Sequence, residues 1–137
     1  MKVISMRKIA LALLLMTTPS MASTTIVVDK QTQTMEVDSN GESYTWPVST
    51  ARKGYSTPSG SFRPQSLQVM HYSKKYHNSP MPHSIFFNGD VAIHGTPHIG
   101  ALGHPASHGC VRLHPTNAAT LYELVKQDRG DTRIIVK

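Results

Sequence analysis

The sequence predicts a mainly β domain, either a sandwich or a barrel, that contains a single clear helix. Short apolar runs recur along residues 24–136 and are separated by turn residues such as Asn88-Gly89. Only the segment after Pro115 has apolar residues at helical spacing. A chain of 137 residues with 39% hydrophobic residues suits one small domain, and no internal repeat or linker divides it. These observations favour two packed sheets or one closed sheet, with one helix.

Residues 1–22 are predicted to be a secretory signal peptide. Basic residues precede the apolar run 9–16, which is too short to span a bilayer, and small residues at 20–22 resemble a cleavage site. The basic residues are Lys2, Arg7 and Lys8. We expect cleavage after Ala22, export to the periplasm or cell envelope, and one domain over residues 23–137. An uncleaved anchor is the alternative.

The first half of that domain is predicted to be a series of strands. Residues 24–30 and 33–37 form two short strands about a turn, and residues 42–48 continue after the turn at 39–41. Trp46 in the third strand is interpreted as a core residue. The segment 49–62 is rich in Gly, Ser, Thr and Pro and is predicted to be a loop.

A strand over residues 67–72 is followed by a polar segment, 73–83, which is predicted to be a long loop that overhangs a site. Tyr72 and Tyr76 are candidates to line a groove there. The runs on either side of Asn88-Gly89, residues 85–87 and 91–93, give the strongest hairpin pattern in the chain. The second arm ends at His94.

The last third begins with an irregular connection over residues 95–106, which contains three glycines and two prolines. After the cysteine motif, Pro115 and the spacing of the apolar residues predict an amphipathic helix of about 12 residues. Gly130 is a stop signal, and residues 133–136 form a terminal strand.

Cys110 is the only cysteine in the chain and is interpreted as a nucleophile. A secreted protein that keeps a lone thiol gains no internal disulfide, which argues against a purely structural role. If the segment is extended, Arg112 lies on the same face and stabilises the thiolate. The amides of Gly109 and Cys110 are candidate donors to an oxyanion. A small buried hydrophobe is the alternative reading of such a cysteine.

His94 is the candidate general base, because it follows a predicted strand and lies 16 residues before the cysteine. A connection of that length permits the imidazole to reach the sulfur. Metal binding is a rival reading, since six potential ligands lie between positions 94 and 114. They are His94, His98, His104, His108, Cys110 and His114. No compact ligand pair is present, so we expect no metal and no cofactor.

The motifs IHGT (93–96) and SHGCVRL (107–113) resemble the signature of the L,D-transpeptidase catalytic domain family, which has the YkuD-type fold. IVVDKQTQTMEV (26–37), PVSTARKGYSTPSGSF (47–62) and IFFNGDVAIHG (85–95) are further similar segments in the same order. The resemblance implies a β-sandwich of mixed sheets with one principal α-helix after the nucleophile motif. Arg112 stands where the family often has Asn, and the loop from His94 to Ser107 is short for the family.

The resemblance also implies roles for individual residues. It makes Cys110 the nucleophile and His94 the base, with the carbonyl of Gly95 orienting the ring and His108 in support. The further residues it places at the site are Gly109 as catalytic and Ser107, Thr96 and Arg112 as substrate-binding. Arg112 would also bind a substrate carboxylate.

The implied reaction is peptidoglycan L,D-transpeptidation. The thiol would attack a tetrapeptide stem, release D-alanine and leave a thioester that an amine resolves. The amine could belong to a neighbouring stem (a 3-3 cross-link), a lipoprotein lysine or a D-amino acid, whereas water would make the protein an L,D-carboxypeptidase. A non-catalytic wall-binding protein is a further alternative. The formal charge is +6 for the whole sequence and +3 without residues 1–22; this modest positive charge is compatible with an anionic polymer, and no pattern indicates nucleic acid.

Overall fold

A computed structural model of the protein describes residues 23–137, so the predicted signal peptide lies outside the described residues. Within this range nine strands form two mixed sheets, and one α-helix follows the cysteine motif. The predicted mainly β sandwich with a single helix is confirmed. The elements are β1 Thr24–Asp29, β2 Thr34–Ser39, β3 Glu42–Pro47, β4 Gly60–Phe62, β5 Ser66–Ser73, β6 Ser79–Asn88, β7 Val91–Gly95, β8 Val111–Leu113, α1 Pro115–Gln127 and β9 Thr132–Val136.

The first sheet has the order β3-β2-β1-β9-β4 and brings the two ends of the domain together. β1 is antiparallel to β2 and parallel to the last strand, β9. Alternate side chains of β1, including Ile26 and Val28, are fully buried, as the period of a half-buried strand requires. Trp46, which was predicted to be a core residue, is only partly buried and packs against the edge of this core.

The second sheet has the order β5-β6-β7-β8. The predicted hairpin is present as β6 and β7, which pair antiparallel with Ile85 opposite Ile93. β8 lies parallel to β7, so the connection over residues 96–110 must run from the end of β7 back to the level at which β7 begins. The side chains of Phe87, Val111 and Leu113 project from this sheet into the hydrophobic core that both sheets and the helix share.

The helix α1 has 13 residues, close to the predicted 12, and begins at Pro115. Proline suits the first helical position because its missing N–H has no intrahelical partner there. The Nδ1 atom of His114 accepts a hydrogen bond from the Thr116 N–H at 3.1 Å and so caps the helix. One face of α1, which includes Leu121 and Val125, is buried against β6 and β7.

Two sequence predictions of loops are wrong. Residues 60–62 form the short strand β4, which pairs with β9, and residues 79–83 belong to β6. Pro80 and Pro82 concealed the strand because proline lacks a ladder donor. Both prolines occupy the half of β6 that pairs with β5 alone, and their alternate spacing places both missing donors on the same strand edge.

Among residues 23–137, no helix combines the length and the apolar character that crossing a bilayer requires.

Candidate active site

The parallel pairing of β7 with β8 brings the candidate base and nucleophile to one face of the second sheet. Ile93 pairs with Val111 and His94 pairs with Arg112. Because side chains alternate along strands, Ile93 and Val111 enter the core while His94, Cys110 and Arg112 share the opposite face. The connection over residues 96–110 returns the chain to β7, as the sequence suggested, and the pairing of β8 with β7 then fixes where Cys110 lies.

A cavity of about 520 Å³ opens on this face. His94, His108, Cys110 and Arg112 line it, so the structure brings the principal predicted residues into one site. Tyr72 and Tyr76, which were predicted to line a groove, also line the cavity, as do Ser107, Gly109 and Thr96.

His94 is held in a defined orientation at the base of the cavity. Its side chain is only 6% exposed, and its Nδ1 donates a hydrogen bond to the carbonyl oxygen of Gly95 at 2.7 Å. That contact leaves Nε2 unprotonated and available to accept a proton. Burial lowers the pKa of His94 to about 4; the Gly95 carbonyl opposes this effect, and the charges of Arg112 and His71 add to it.

Gly95 serves a second purpose, which is to allow the helix to approach. A Cβ atom at this position would lie 3.2 Å from both Pro115 Cα and Pro82 Cγ. These distances are tighter than most real contacts, so a side chain would push α1 away from β7. The absence of a side chain therefore fixes where His94 lies relative to the helix.

Cys110 is half-buried and its sulfur is directed at the backbone of β7. The thiol donates to the carbonyl of Asp90 at 3.7 Å, while the N–H of Ala92 is directed at the sulfur. Within residues 23–137 no hydrogen bond joins the sulfur to His94. The contact between imidazole and sulfur that the sequence allowed is therefore not formed in this structure, and the thiol bonds to the Asp90 carbonyl instead.

The pKa of the Cys110 thiol is raised, contrary to the expectation of a lowered one. Burial is the main cause, and the charge of Asp90 contributes in the same direction. The Ala92 N–H and the charge of Arg112 both lower the pKa, as the sequence suggested for the arginine, but burial outweighs them. At neutral pH the site therefore holds a neutral thiol and a neutral imidazole.

Arg112 is fixed at the edge of the cavity by its backbone. Its N–H and carbonyl both bond to Ser49, at 2.8 and 3.1 Å, and its guanidinium donates to the Ala106 carbonyl at 3.4 Å. Burial lowers the pKa of Arg112, with an opposing effect from Cys110 and a further lowering from Arg52. The remaining guanidinium donors are available to an anionic group.

The turn before the nucleophile is held by two hydroxyl groups. Ser107 Oγ donates to the Cys110 carbonyl at 2.6 Å and accepts from the Gly109 N–H at 3.0 Å. Thr57 Oγ1 donates to the Gly109 carbonyl at 2.8 Å and accepts from the Ala51 N–H at 3.0 Å. The hydroxyl of Ser107 is thus used within the turn. The Gly109 amide is also occupied, which leaves the Cys110 N–H as the candidate oxyanion donor.

Gly109 adopts a conformation that side chains rarely permit, with φ of 145°. A Cβ here would also lie 3.2 Å from the carbonyl oxygen of Ser56. Both features require glycine, because a larger residue would be strained and crowded at once.

His108 joins two loops across the mouth of the cavity. Its ring stacks on Tyr76 with centroids 4.2 Å apart and lies 4.7 Å from the ring of Tyr55. Arg52 lies over Tyr55 and Lys75 over Tyr76, so a cationic group flanks the three rings at each end. Burial and the neighbouring positive charges lower the pKa of His108. His108 therefore bridges the two loops, and its supporting role in catalysis stays a prediction.

Thr96 is buried near the inner wall. Its hydroxyl accepts from the His98 N–H at 3.1 Å, and its own N–H donates to the Leu113 carbonyl at 2.9 Å. These bonds fix the start of the connection that leads back to β8.

The histidines that suggested a metal do not converge. Across the described part of the chain, no three His, Cys, Asp or Glu side chains lie close enough together to hold a metal ion. The metal-binding alternative has no ligand set in this range.

Sequence reasoning missed several residues that shape the site. Tyr55 and Thr57 lie in the segment interpreted as a loop without chemistry, and their contacts with His108 and Gly109 cross about 50 positions of sequence. Gln33 is a third case. Its buried carboxamide accepts from the Thr50 N–H at 2.9 Å and donates to Thr50 Oγ1 at 2.7 Å, and Thr50 in turn binds the Ser107 N–H. Only the turn composition around residue 57 hinted at any of this.

Comparison with known proteins identifies the family and the fold of the chain. The sequence pattern of the YkuD L,D-transpeptidase catalytic domain matches residues 23–136. No curated protein matches the chain.

Solved structures of L,D-transpeptidases resemble the fold. One from Mycobacterium smegmatis has a TM-score of 0.75 at 25% identity and aligns with 85% of this chain and 59% of its own. One from Stackebrandtia nassauensis has a TM-score of 0.73 at 29% identity, with 88% and 58% covered. L,D-transpeptidase 3 from Mycobacterium tuberculosis, solved with a faropenem-derived adduct, has a TM-score of 0.72 at 23% identity, with 85% and 60% covered. The chain therefore spans about three fifths of the length of these structures.

Proposed function

The chain belongs to the L,D-transpeptidase catalytic domain family, and on that premise we propose that it is a cysteine-dependent peptidoglycan L,D-transpeptidase. The observation that carries the proposal is the shared face of β7 and β8. It presents His94, Cys110 and Arg112 to one cavity. These are the parts that acyl transfer through a thioester needs: a nucleophile, a base and a cationic group.

The first half-reaction forms the acyl-enzyme. His94 Nε2 takes the proton of the Cys110 thiol, and the sulfur attacks the carbonyl carbon that precedes the terminal D-alanine of a tetrapeptide stem. The Cys110 N–H stabilises the oxyanion. When the C–N bond breaks, the protonated imidazole returns the proton to the leaving amine, so that free D-alanine departs and a thioester remains.

The second half-reaction resolves the thioester. An acceptor amine gives a proton to His94 Nε2 and attacks the thioester carbonyl, a new amide bond forms, and the proton returns to the departing sulfur. With a diamino acid side chain of a neighbouring stem as acceptor, the product is a 3-3 cross-link. A lipoprotein lysine or a D-amino acid would give related amides, and water would give L,D-carboxypeptidase activity.

Because the Cys110 thiol and the His94 imidazole are both neutral, the thiol proton must pass to the imidazole as the sulfur attacks the substrate. Because the thiol pKa is raised and the His94 pKa is lowered to about 4, a stable thiolate–imidazolium pair is unfavourable. Substrate that enters the cavity displaces the contact between the thiol and the Asp90 carbonyl and allows the sulfur to turn towards His94. Nucleophile activation is therefore coupled to substrate binding.

The charge of the cavity suits the stem peptide. Lys74, Lys75 and Arg112 line it, and Asp90 is the one acidic residue among the lining side chains. The forked guanidinium of Arg112 matches a carboxylate, such as that of the terminal D-alanine. We assign substrate binding to Arg112.

A β-lactam that mimics the acyl donor should acylate the same sulfur. The faropenem-derived adduct in L,D-transpeptidase 3 from Mycobacterium tuberculosis motivates this expectation. Carbapenems are the analogous reagents for Cys110.

The proposed setting is the cell envelope. The sequence of residues 1–22 motivates export to the periplasm or envelope, where the peptide stems are found. Cross-linking there would contribute to wall biogenesis and cell shape.

The proposal is tested by incubating the protein with purified tetrapeptide muropeptides and analysing the products by mass spectrometry. We expect loss of D-alanine together with a dimer, an exchanged product or a tripeptide, and an acyl adduct on Cys110. Cys110→Ala and His94→Gln should abolish turnover, whereas His104→Gln should retain it, because His104 is exposed and lies outside the cavity. Turnover by Cys110→Ala, or binding to sacculi without turnover by the unaltered protein, would contradict the proposal.

A further inference from the structure

A second cleft lies on the far side of the β6–β7 turn from the candidate active site. Its volume is about 410 Å³, and its rim is formed by the β4–β5 connection, the end of β6 and β9. The residues that line it are Ser61, Phe62, Arg63, Pro64, Gln65, Phe87, Asn88 and Arg133. The polar members all carry hydrogen-bond donors, and no acidic residue is among them.

Two guanidinium groups tie the walls of this cleft together. Arg63 donates to the carbonyl of Gly130 at 3.3 Å, and Arg129 donates to the carbonyl of Gln65 at 2.7 Å. Each arginine thus binds the backbone of the segment that carries the other. A guanidinium has five N–H donors, so most of them are left for a ligand after these contacts.

Arg133 adds a third positive charge on the exposed face of β9. Throughout residues 23–137 its guanidinium makes no hydrogen bond with the protein. Arg63 and Arg133 both line the cleft, so an oxyanion that binds there is attracted by two positive charges and accepts forked hydrogen bonds. The carboxamides of Gln65 and Asn88 supply further donors.

The cleft and the active-site cavity share one structural element. Asn88 lines the cleft and Asp90 lines the cavity, with Gly89 between them. The Gly89 N–H donates to Gln65 Oε1 at 3.0 Å, which fixes the turn to the floor of the cleft. A group bound in the cleft is therefore separated from the cysteine site by a single turn of chain.

We propose that this cleft is a second binding site, specific for a carboxylate or phosphate group of the wall polymer. The identification of the polymer rests on the proposed function, whereas the existence of an oxyanion site rests on the cleft itself. The site would hold an anionic part of the polymer beside the turn while a stem peptide occupies the cavity.

The test is an NMR titration of the Cys110→Ala protein, which separates binding from turnover. Inorganic phosphate is one probe, and a muramyl tripeptide, which carries carboxylates but no terminal D-alanine, is the other. We expect saturable shifts of the Gly89 amide and the Arg133 Nε–H, with the tighter probe identifying the source of the anion. Arg112 reports separately on binding in the cavity.

Charge variants distinguish a site from general attraction. Arg133→Gln should weaken binding at the Gly89 reporter by about tenfold, the loss expected for one charge-assisted contact, and Arg133→Lys should restore part of it. Lys126→Gln removes the same charge from an exposed position of α1 and should leave the affinity unchanged. Within residues 23–137 the Arg133 side chain makes no hydrogen bond with the protein, so its substitution should not unfold the protein.

Three results would overturn the proposal. They are the absence of saturable shifts at Gly89 and Arg133 with either probe, unchanged affinity in Arg133→Gln, and an equal loss in Lys126→Gln. None of these results depends on whether the unaltered protein turns over muropeptides, so the second site and the proposed function fail independently.

Discussion

Burial of His94 makes the stability of the protein depend on pH in a way that can be isolated. Its pKa is about 4 in the folded protein and 6.5 when the side chain is solvated. Between these values the unfolded chain binds a proton that the folded chain does not, so the free energy of unfolding falls as the pH falls. Below pH 4 both states are protonated at this residue, and its contribution stops changing.

The magnitude follows from the two values. The gap from 6.5 to about 4 corresponds to about 3 kcal/mol in total, of which about 2 kcal/mol is lost between pH 7 and pH 5. Other groups titrate in the same range, so the informative quantity is the difference between the protein and its His94→Gln variant.

Urea unfolding at pH 5, 6 and 7 measures this quantity. We expect the unaltered protein to lose about 2 kcal/mol more than His94→Gln on going from pH 7 to pH 5. His104→Gln serves as the matched control, because His104 is exposed and should leave the pH dependence of the protein unchanged. If the unaltered protein and His94→Gln lose stability in parallel, the histidine is not buried in the neutral form, and the argument for a neutral pair fails with it.

Three further substitutions test the surroundings of the nucleophile. Gly109→Ala should lower the free energy of unfolding by about 1–3 kcal/mol and reduce kcat, because the added Cβ meets both a φ of 145° and the carbonyl oxygen of Ser56. Gly54→Ala is the control: Gly54 also has a positive φ, but a Cβ there has no neighbour within 4 Å, so the loss measured by urea unfolding should be smaller. Thr57→Val should lower the free energy of unfolding by about 1–3 kcal/mol, because it leaves the buried Gly109 carbonyl and the partly buried Ala51 N–H without a partner. Thr57→Ser should recover most of that loss in the same unfolding assay. Arg112→Gln should raise the thiol pKa further and slow iodoacetamide alkylation at pH 7 by about threefold, whereas Arg112→Lys should stay close to the parent rate; equal rates in the parent and the Gln variant would contradict the electrostatic assignment.

Much of the fold could be predicted because local patterns and tertiary structure agree. The alternation in residues 24–37, the Asn88-Gly89 hairpin and the apolar spacing after Pro115 each specify an element without reference to the rest of the chain. β4 was missed because its three residues are too few to show a period. The start of β6 was missed because its prolines are tolerated there only since one edge of that half of the strand has no partner, which the sequence does not reveal.

The site was predictable in its membership and less so in its chemistry. Sequence order identified His94 and Cys110, and the signature motifs indicated that they share a site. The direction of the cysteine pKa was wrong because it is a balance between burial and charge, and the burial of a side chain depends on packing from distant segments. The row formed by Tyr55, His108 and Tyr76 depends likewise on contacts between loops that no local pattern describes.

The hydrogen bond from the Cys110 thiol to the Asp90 carbonyl also affects how readily the thiol is oxidised. Oxidants and small disulfides react with thiolates far faster than with thiols, so we expect the protonated Cys110 thiol to be oxidised slowly. Because the sequence contains a single cysteine, no second thiol can form a protective intramolecular bridge, and the low reactivity of the protonated thiol protects the nucleophile instead. The packing around Cys110 thus explains both its slow oxidation and its low reactivity before substrate binds.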